Sequence, residues 1–392
     1  MVRFLTAGES HGKGLVIIMD GVPSGLEFDE EAISRDLAER QKGYGRGKRQ
    51  KIEADRAAII SGVRFGRTTG APVCVMIENR DFENWKKILA QSGSGSGINE
   101  FNVPRPGHAD LSGGIKYGHH DFRNVLERAS ARETAARVVS GSLSKAILRE
   151  IGVEVFGYCV NIAGVLTDDD SGLDIKGIRE KIASVEKKFR ADIRFPGINE
   201  AAVIIRKIEA ATAEGDTLGG VVKVVTSPVP VGLGDYTQWD KKLDASIARS
   251  LMSIQAIKGV EFGLGFNAAG APGSKVHDRI YRSKARGYFR NTNNAGGIEG
   301  GMSNGEPIVV KAVMKPISTV KKGMDSVNAK TGKAVKTIYE RSDVCAVPAA
   351  SIVAEAAVSF ELANACLAKF GGDSVREFRE NHGAYMKYVK KF

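Results

Sequence analysis

The sequence predicts an α+β protein built mainly from antiparallel sheets. Apolar, β-branched runs typical of strands recur along the 392 residues, and several are bounded by glycine or proline. Neighbouring runs are often joined by only a few residues, which favours antiparallel pairing over β-α-β crossovers. Two long segments rich in small residues are strongly helical instead.

Six apolar runs are predicted as strands, because valine and isoleucine dominate most of them. In chain order they cover residues 15–19, 73–77, 153–165, 220–225, 260–266 and 307–314. Regular helices do not separate these runs, so a parallel, doubly wound sheet is not expected.

Residues 122–151 and 348–370 are predicted as helices. The second has Pro348 in its first turn and Gly371 just beyond its end, which is the usual pattern at helix boundaries. Both are rich in alanine and other small residues, which allow packed elements to approach closely. We therefore expect both helices to lie at the centre of the fold.

No shift in composition marks a domain boundary, so we expect a single domain over residues 1–392. Residues 168–213 are more charged and lack strand patterning, which predicts a peripheral helical excursion. The Gly-rich segments 92–97 and 291–305 are flanked by polar residues, and we interpret them as mobile active-site loops.

The composition excludes several classes of protein. With 42% hydrophobic residues the chain can fill a sizeable core, so disorder and a disulfide-dependent miniature fold are excluded. The apolar run 15–19 is far shorter than the ~20 residues of a membrane span, and no signal-peptide stretch is visible. We expect a cytoplasmic protein with no membrane span. The four cysteines lie far apart, so reduced thiols and no metal site are expected.

The net charge of +11 is concentrated in one glycine-rich segment, where six of the twelve residues 40–51 are cationic. A solvated loop, a nucleic-acid contact and a site for a small polyanion all stay open. Only Tyr44 is available to stack on a base, which disfavours nucleic acid. Arginine forks bind phosphate and carboxylate bidentately, which favours a small polyanion.

Two further segments carry histidine in polar turns, Arg105-Pro106-Gly107-His108-Ala109-Asp110 and Gly8-Glu9-Ser10-His11-Gly12. Histidine readily exchanges a proton near neutrality, so His108 is a candidate acid or base, although a purely structural role stays open. Adjacent side chains point apart in an extended strand, so Ser10 and His11 do not indicate a hydrolase dyad. Neither the Walker nor the Rossmann glycine pattern is present.

Taken together, these phrases resemble the chorismate synthase family. The matching blocks are Gly8–Gly12, Arg46 in the basic loop, Arg105–Asp110, Glu127–Arg137, Ser253–Gly259, Arg341–Asp343 and Val347–Ala349. They run in family order from residue 8 to about residue 350, so chance agreement is implausible.

The resemblance implies anti-1,4-elimination of phosphate and the C6 hydrogen from 5-enolpyruvylshikimate-3-phosphate to give chorismate, the last step of the shikimate pathway. It implies reduced FMN, without net redox change, and a sandwich of antiparallel sheets around long central helices. A homotetramer of the monofunctional bacterial type is implied, with an external flavin reductase and with NADPH acting only indirectly through flavin reduction. Neither nucleic acid nor membrane is an implied partner.

The resemblance also implies roles for individual residues. His11 would protonate the departing phosphate, His108 would lie by flavin N1 and the C2 carbonyl, and Asp343 would act near flavin N5. Ser10 and Ser130 would orient His11 and Asp343. The implied substrate-binding residues are Arg40, Arg46, Arg105, Arg132 and Arg341. The implied flavin-binding residues are Arg128, Ala129, Ser130, Gln255, Ala256, Gly300, Lys315, Pro316, Ile317, Ser318, Thr319 and Arg341.

Two other functions remain as alternatives. A nucleic-acid-binding protein would use the basic loop, and its affinity would fall steeply with salt. A flavin oxidoreductase would consume NADPH continuously without releasing phosphate.

Overall fold

The computed structural model describes residues 1–46, 55–167, 170, 172–337 and 342–392. Its helices in chain order are α1 (Glu30–Gln41), α2 (Phe82–Trp85), α3 (Asp110–Tyr117), α4 (Arg123–Ala129), α5 (Thr134–Arg149), α6 (Ile175–Phe189), α7 (Ala201–Glu214), α8 (Leu243–Met252), α9 (Gly273–Val276), α10 (Val347–Phe370) and α11 (Val375–Lys391). Its strands are β1 (Arg3–Ala7), β2 (Gly14–Asp20), β3 (Ala57–Ser61), β4 (Val63–Arg64), β5 (Arg67–Thr68), β6 (Val73–Glu78), β7 (Val155–Ile162), β8 (Val165–Leu166), β9 (Gly220–Pro228), β10 (Ile257–Phe262), β11 (Ile280–Ser283), β12 (Gly287–Arg290), β13 (Ile298–Glu299), β14 (Met302–Ser303), β15 (Pro307–Met314), β16 (Asp325–Val327) and β17 (Ala334–Lys336).

Two antiparallel sheets carry most of these strands. One has the order β1-β2-β6-β3 and the other the order β10-β15-β9-β7-β8. In β2, Leu15, Ile17 and Met19 are fully buried while the residues between them are not, because alternate side chains of a strand face opposite sides. The predicted α+β class is confirmed.

The two long helices pack against each other, and each also contacts one sheet. Helix α5 lies on β2, and α10 lies on β7 and β9. A side chain at Gly141 of α5 would collide with Ala356 of α10, so glycine permits this close approach. The small residues that predicted central helices therefore serve helix-to-helix packing.

Helix α10 is long and apolar enough to cross a membrane when only length and composition are considered. However, 72% of its most apolar window is buried inside the protein. Contacts with α5, β7 and β9 account for its apolar character, as expected for a helix buried in the core of a protein.

The prediction of one helix over residues 122–151 is wrong, because the helix is interrupted at Ser130. This residue is extended, with φ −63° and ψ 141°, and its hydroxyl accepts a hydrogen bond from the backbone N–H of Arg132. Serine competes for backbone groups in this way and so favours helix starts over helix interiors. A 3₁₀ turn, Ala131–Glu133, then leads into α5.

Two predicted strands are also shorter than expected. The run 153–165 divides into β7 and β8 at a turn that includes Ala163, which has a positive φ of 55°. The run 260–266 ends as a strand at Phe262, and a 3₁₀ helix follows at Gly265–Gly270. Within residues 168–213 the structure describes α6 and most of α7, and α6 packs Ile178 and Ile182 over one face of the second sheet.

Candidate active site

A cavity of about 1300 Å³ collects most of the predicted site residues. They come from widely separated parts of the chain and are Ser10, His11, Arg40, Arg46, Arg105, His108, Ala129, Ser130, Arg132, Gln255, Ala256, Lys315, Ile317, Ser318, Thr319 and Asp343. Three segments that are far apart in the sequence, around His11, His108 and Asp343, therefore line the same cavity.

Other predicted positions do not line this cavity. The exposed side chain of Arg128 instead donates to the carbonyls of Thr6 and Gly8, at 2.9 and 3.2 Å. Gly300 lies in the turn between β13 and β14, and Pro316 is not among the lining residues. Arg341 lies outside the described residues, as does most of the basic segment. Neither Gly-rich loop, 92–97 or 291–305, contributes to the lining.

The basic loop reaches the cavity through Arg46, which pairs with Asp343. Arg46 Nη1 lies 3.0 Å from Asp343 Oδ2, and the Arg46 side chain is 9% exposed. Gly45 makes this approach possible, because its φ is +89° and a Cβ there would lie 2.9 Å from Ile208 Cγ2. The Arg46 Nε atom is buried without a hydrogen-bond partner in the described structure. A ligand acceptor in the cavity would satisfy it.

Arg40 is a buried cation close to other cations. Its Nη2 donates to the carbonyl of Ala131 at 2.9 Å, and its Nη1 lies 3.8 Å from Asp55 Oδ2. Burial, above all, lowers the pKa of Arg40 to about 10; Asp55 opposes this shift, and the charges of Arg46 and Arg132 add to it. The guanidinium groups therefore repel one another, and an anion bound among them would relieve that repulsion.

Arg132 is held rigidly at the floor of the same region. Its Nη1 donates to both Asp55 oxygens at 2.7 Å, and its Nε and Nη2 donate to Asn79 Oδ1 at 3.0 and 2.7 Å. Asn79 in turn donates to the carbonyl of Gly12 at 2.8 Å. Arg132 therefore fixes the turn that carries His11 as well as contributing charge.

His11 is held by a carboxylate that sequence reasoning did not assign. Its Nδ1 lies 2.9 Å from Glu127 Oε1, and its backbone N–H donates to Glu127 Oε2 at 2.8 Å. The ring stacks on Trp85 with a centroid separation of 3.9 Å and an interplanar angle of 25°. Its side chain is 13% exposed.

His108 belongs to a second carboxylate cluster. Its Nδ1 lies 2.6 Å from Oδ1 of Asp110, a fully buried residue. Arg105 donates to the same carboxylate through Nε at 2.8 Å and Nη2 at 3.0 Å, and to Thr319 Oγ1 at 3.0 Å. Burial alone would raise the pKa of Asp110, but the hydrogen bonds from His108 and Arg105 and their charges hold it well below its usual range.

The two predicted orienting serines contact each other. Ser130 Oγ donates to Ser10 Oγ at 3.1 Å, and the backbone N–H of Ser10 donates to the carbonyl of Glu127 at 3.1 Å. Their role in orienting His11 and Asp343 stays a prediction, whereas Glu127 contacts the imidazole of His11 directly.

Glu127, Asp110, Asn79 and Trp85 are the site residues that the sequence reasoning missed. Glu127 and Asp110 lie inside the quoted motifs, and an acidic residue two positions after His108 was a usable signal. No local pattern connects Glu127 with His11, because 116 positions separate them.

The cavity has the properties of a site for organic anions. Its volume exceeds the ~300–1,000 Å³ of an ordinary single-ligand pocket, so it has room for two ligands. It presents a buried donor, Arg46 Nε, and a buried acceptor, Gln255 Oε1, that lack hydrogen-bond partners in the described structure. The described residues contain no group of His, Cys, Asp and Glu side chains able to hold a metal ion.

Comparison with known proteins identifies the family of the chain. The profile of the family described as "Chorismate synthase" matches residues 2–367. Proteins named chorismate synthase from Geobacter sulfurreducens and Aquifex aeolicus are 50% and 49% identical, covering all of this chain and 100% and 99% of their own length. A solved structure titled "Crystal Structure of Chorismate Synthase" has a TM-score of 0.79 and 42% identity, covering 100% of this chain and 99% of its own. The chain therefore belongs to the chorismate synthase family.

Proposed function

We propose that the protein eliminates phosphate and the C6 hydrogen of 5-enolpyruvylshikimate-3-phosphate in an anti-1,4 sense to give chorismate, with reduced FMN and no net redox change. Family membership over nearly the whole chain supports this lyase activity. The observation that carries the proposal is the single cavity in which buried arginines surround two histidines, each bound to a carboxylate.

The substrate requirements agree with the charges of the cavity. The proposed substrate has one phosphate and two carboxylates, and removing these groups from water requires fixed cations that hydrogen-bond to them. Arg40, Arg46, Arg105 and Arg132 line the cavity, and Lys315 adds a fifth cation. Arg105 and Arg132 each donate through Nε, Nη1 and Nη2 to neighbouring side chains. Arg46 Nε has no hydrogen-bond partner in the described structure, and Arg40 Nη1 is 3.8 Å from Asp55, so we assign the closest substrate contacts to Arg46 and Arg40.

The remaining wall fits a flat, polar ring system. Ala129, Ser130, Ala256, Ile317 and Thr319 supply small or apolar surface, and Gln255 Oε1 offers the unpartnered acceptor described above. We assign FMN binding to these residues together with Gln255, Lys315 and Ser318. When bound, reduced FMN supplies electron density for the elimination and recovers it. Arg128, Gly300, Pro316 and Arg341 stay predictions for FMN contact.

We assign His11 as the acid that protonates the departing phosphate. As the ring carbon–oxygen bond breaks, phosphate departs with the electron pair, and a proton from the His11 ring neutralises charge on a phosphate oxygen. Glu127 lies against Nδ1 of His11 at 2.9 Å and orients the ring for this transfer.

Asp343 and His108 are assigned to the other end of the reaction. The C6–H bonding electrons complete the new double bond, and the C6 hydrogen leaves as a proton to the Asp343 carboxylate on that side of the cavity. Arg46 lies 3.0 Å from the Asp343 carboxylate and orients it there. Asp110 holds His108 as a donor towards negative charge in the cavity.

We also propose the oligomeric state of the protein, its location and its source of reduced FMN. The chain would act as a cytoplasmic homotetramer supplied with reduced FMN by an external flavin reductase, so that NADPH takes part only indirectly. Neither nucleic acid nor membrane is proposed as a partner. We also propose a sandwich of antiparallel sheets around long central helices, because α5 and α10 pack against each other and each faces one antiparallel sheet.

An anaerobic assay tests the proposal. Purified protein is mixed with reduced FMN and 5-enolpyruvylshikimate-3-phosphate, and phosphate and chorismate are followed together. We expect equal amounts of both products and none with oxidised FMN. Phosphate without chorismate, or neither product, would refute the lyase assignment, and continuous NADPH oxidation without phosphate would favour an oxidoreductase.

A further inference from the structure

The imidazole of His11 is constrained on two sides by residues from different parts of the chain. On one side, Glu127 of α4 lies 2.9 and 3.1 Å from Nδ1 through its two oxygens. The same carboxylate accepts the backbone N–H of His11 at 2.8 Å. Because the Glu127 carboxylate binds both the ring and the backbone N–H of His11, it restricts the rotation of the ring as well as its position.

On the other side, the indole of Trp85 stacks on the imidazole at 3.9 Å between centroids. The indole is itself held, because Trp85 Nε1 donates to Asp81 Oδ2 at 3.1 Å. The guanidinium of Arg123 lies 5.4 Å from the Trp85 ring centroid, and its Nη1 lies 3.8 Å from Glu127 Oε1. Glu127, Arg123 and Asp81 are thus among the charged groups near His11 and Trp85 in the described structure.

We infer that Glu127 and Trp85 are positioning residues that make His11 Nε2 the ring nitrogen for proton exchange with the ligand. Glu127 fixes the proton on Nδ1, as a carboxylate partner does for a catalytic histidine, and Trp85 fixes the plane of the ring. Neither residue needs to touch the substrate. This inference rests on the proposed function, because it assigns the partners of the proposed acid.

The expected effects follow from these two constraints. Glu127→Gln keeps the size of the side chain but replaces one of the two acceptor oxygens with an NH2 donor. The proton of His11 is then no longer held on Nδ1 and can move to Nε2. We expect kcat to fall by about 10²- to 10⁴-fold with KM for the substrate little changed. Trp85→Leu removes the stacked ring, and a misplacement of about 1 Å corresponds to a loss of roughly 10²-fold. Trp85→Phe keeps a ring that can stack and should retain more activity than Trp85→Leu.

Trp239→Phe supplies the matched control and the reporter. Trp239 is 80% exposed and outside the cavity, and it is the other of the chain's two tryptophans. In the Trp239→Phe protein, all tryptophan emission comes from Trp85. Tryptophan emission depends on the group that stacks on the indole, and here that group is the His11 imidazole, at 3.9 Å between ring centroids. Replacing His11 with Asn in this background should therefore change the emission.

The two measurements separate the possible failures. If His11→Asn leaves the tryptophan emission unchanged, Trp85 does not stack on His11. That result would refute the positioning role of Trp85 without any measurement of turnover. Equal kcat for Glu127→Gln and the Trp239→Phe control would refute the positioning role. If the Trp239→Phe protein releases no phosphate at all, the proposed function fails, and with it this role. Should Glu127→Gln fail to fold, the comparison of Trp85→Leu with Trp85→Phe decides, and equal rates in that pair overturn the inference.

Discussion

Replacing Asp110 with Asn should strongly destabilise the protein, because this carboxylate is the centre of a buried ion cluster. Asp110 is fully buried and accepts hydrogen bonds from the backbone N–H, Nε and Nη2 of Arg105 and from His108 Nδ1. Asparagine keeps the size of the side chain but leaves the 8%-exposed Arg105 without its counter-charge. Removing one partner of a buried ion pair costs about 3–5 kcal/mol, a large part of the ~5–15 kcal/mol that stabilises a typical protein.

The effect should depend on pH with a definite sign. The pKa of Asp110 is held below its usual range in the folded state, and an unfolded aspartate titrates near 3.9. Its contribution to the free energy of unfolding is therefore complete above about pH 5 and is lost as pH falls through about 4 towards the folded pKa. The difference between wild type and Asp110→Asn should be constant from pH 7 to about 5 and narrow below about pH 4.

Urea unfolding followed by circular dichroism measures this difference, at fixed protein concentration because association would shift the midpoint. Asp325→Asn is the control, since Asp325 is 93% exposed and pairs only with the exposed Lys336 in the described structure. We expect no measurable change in the control. A loss below about 1 kcal/mol for Asp110→Asn at pH 7, well under the ~3–5 kcal/mol expected, or a difference that grows on acidification, would refute the reasoning.

Four further predictions concern the cavity and the helix pair. His11→Ala and His108→Ala should each lower turnover by about 10- to 10⁴-fold, and near wild-type rates would remove the proton assignments. Arg46→Ala should chiefly weaken substrate binding and raise Kd by about 10- to 100-fold, as expected for the loss of a charged hydrogen bond. An unaltered Kd in calorimetry would indicate that the basic loop is solvated and does not bind the substrate. Asp343→Asn should keep FMN binding but slow loss of the C6 hydrogen, so unchanged anaerobic single-turnover kinetics would contradict it. Gly141→Val should destabilise the protein by at least about 1–3 kcal/mol through overpacking against Ala356, and an unchanged urea midpoint would oppose that packing account.

Hydrophobic patterns and helix-boundary residues correctly predicted the elements whose ends depend on neighbouring residues. The run 307–314 is strand β15 with the same bounds, and the helix predicted from Pro348 and Gly371 is α10 with one residue more at its start. The break at Ser130 was missed because apolar and small residues continue on both sides of it. Only the competition of its hydroxyl for the N–H of Arg132 interrupts the helix.

The candidate site was predicted as a set of residues but not as a set of contacts. The motifs identified His11, His108 and Asp343, and the structure brings all three to one cavity. The pairs that orient them, His11 with Glu127 and Arg46 with Asp343, join positions 116 and 297 residues apart, which no sequence period encodes.

Hydrogen exchange with mass spectrometry tests most directly whether these distant segments form one site for both ligands. Amide exchange is compared anaerobically for the free protein and for the protein saturated with reduced FMN and 5-enolpyruvylshikimate-3-phosphate. We expect exchange to slow in all of the peptides that cover residues 8–12, 105–110, 127–132, 315–319 and 342–346. Slower exchange confined to one of these segments, or unchanged exchange in all of them, would contradict a shared cavity.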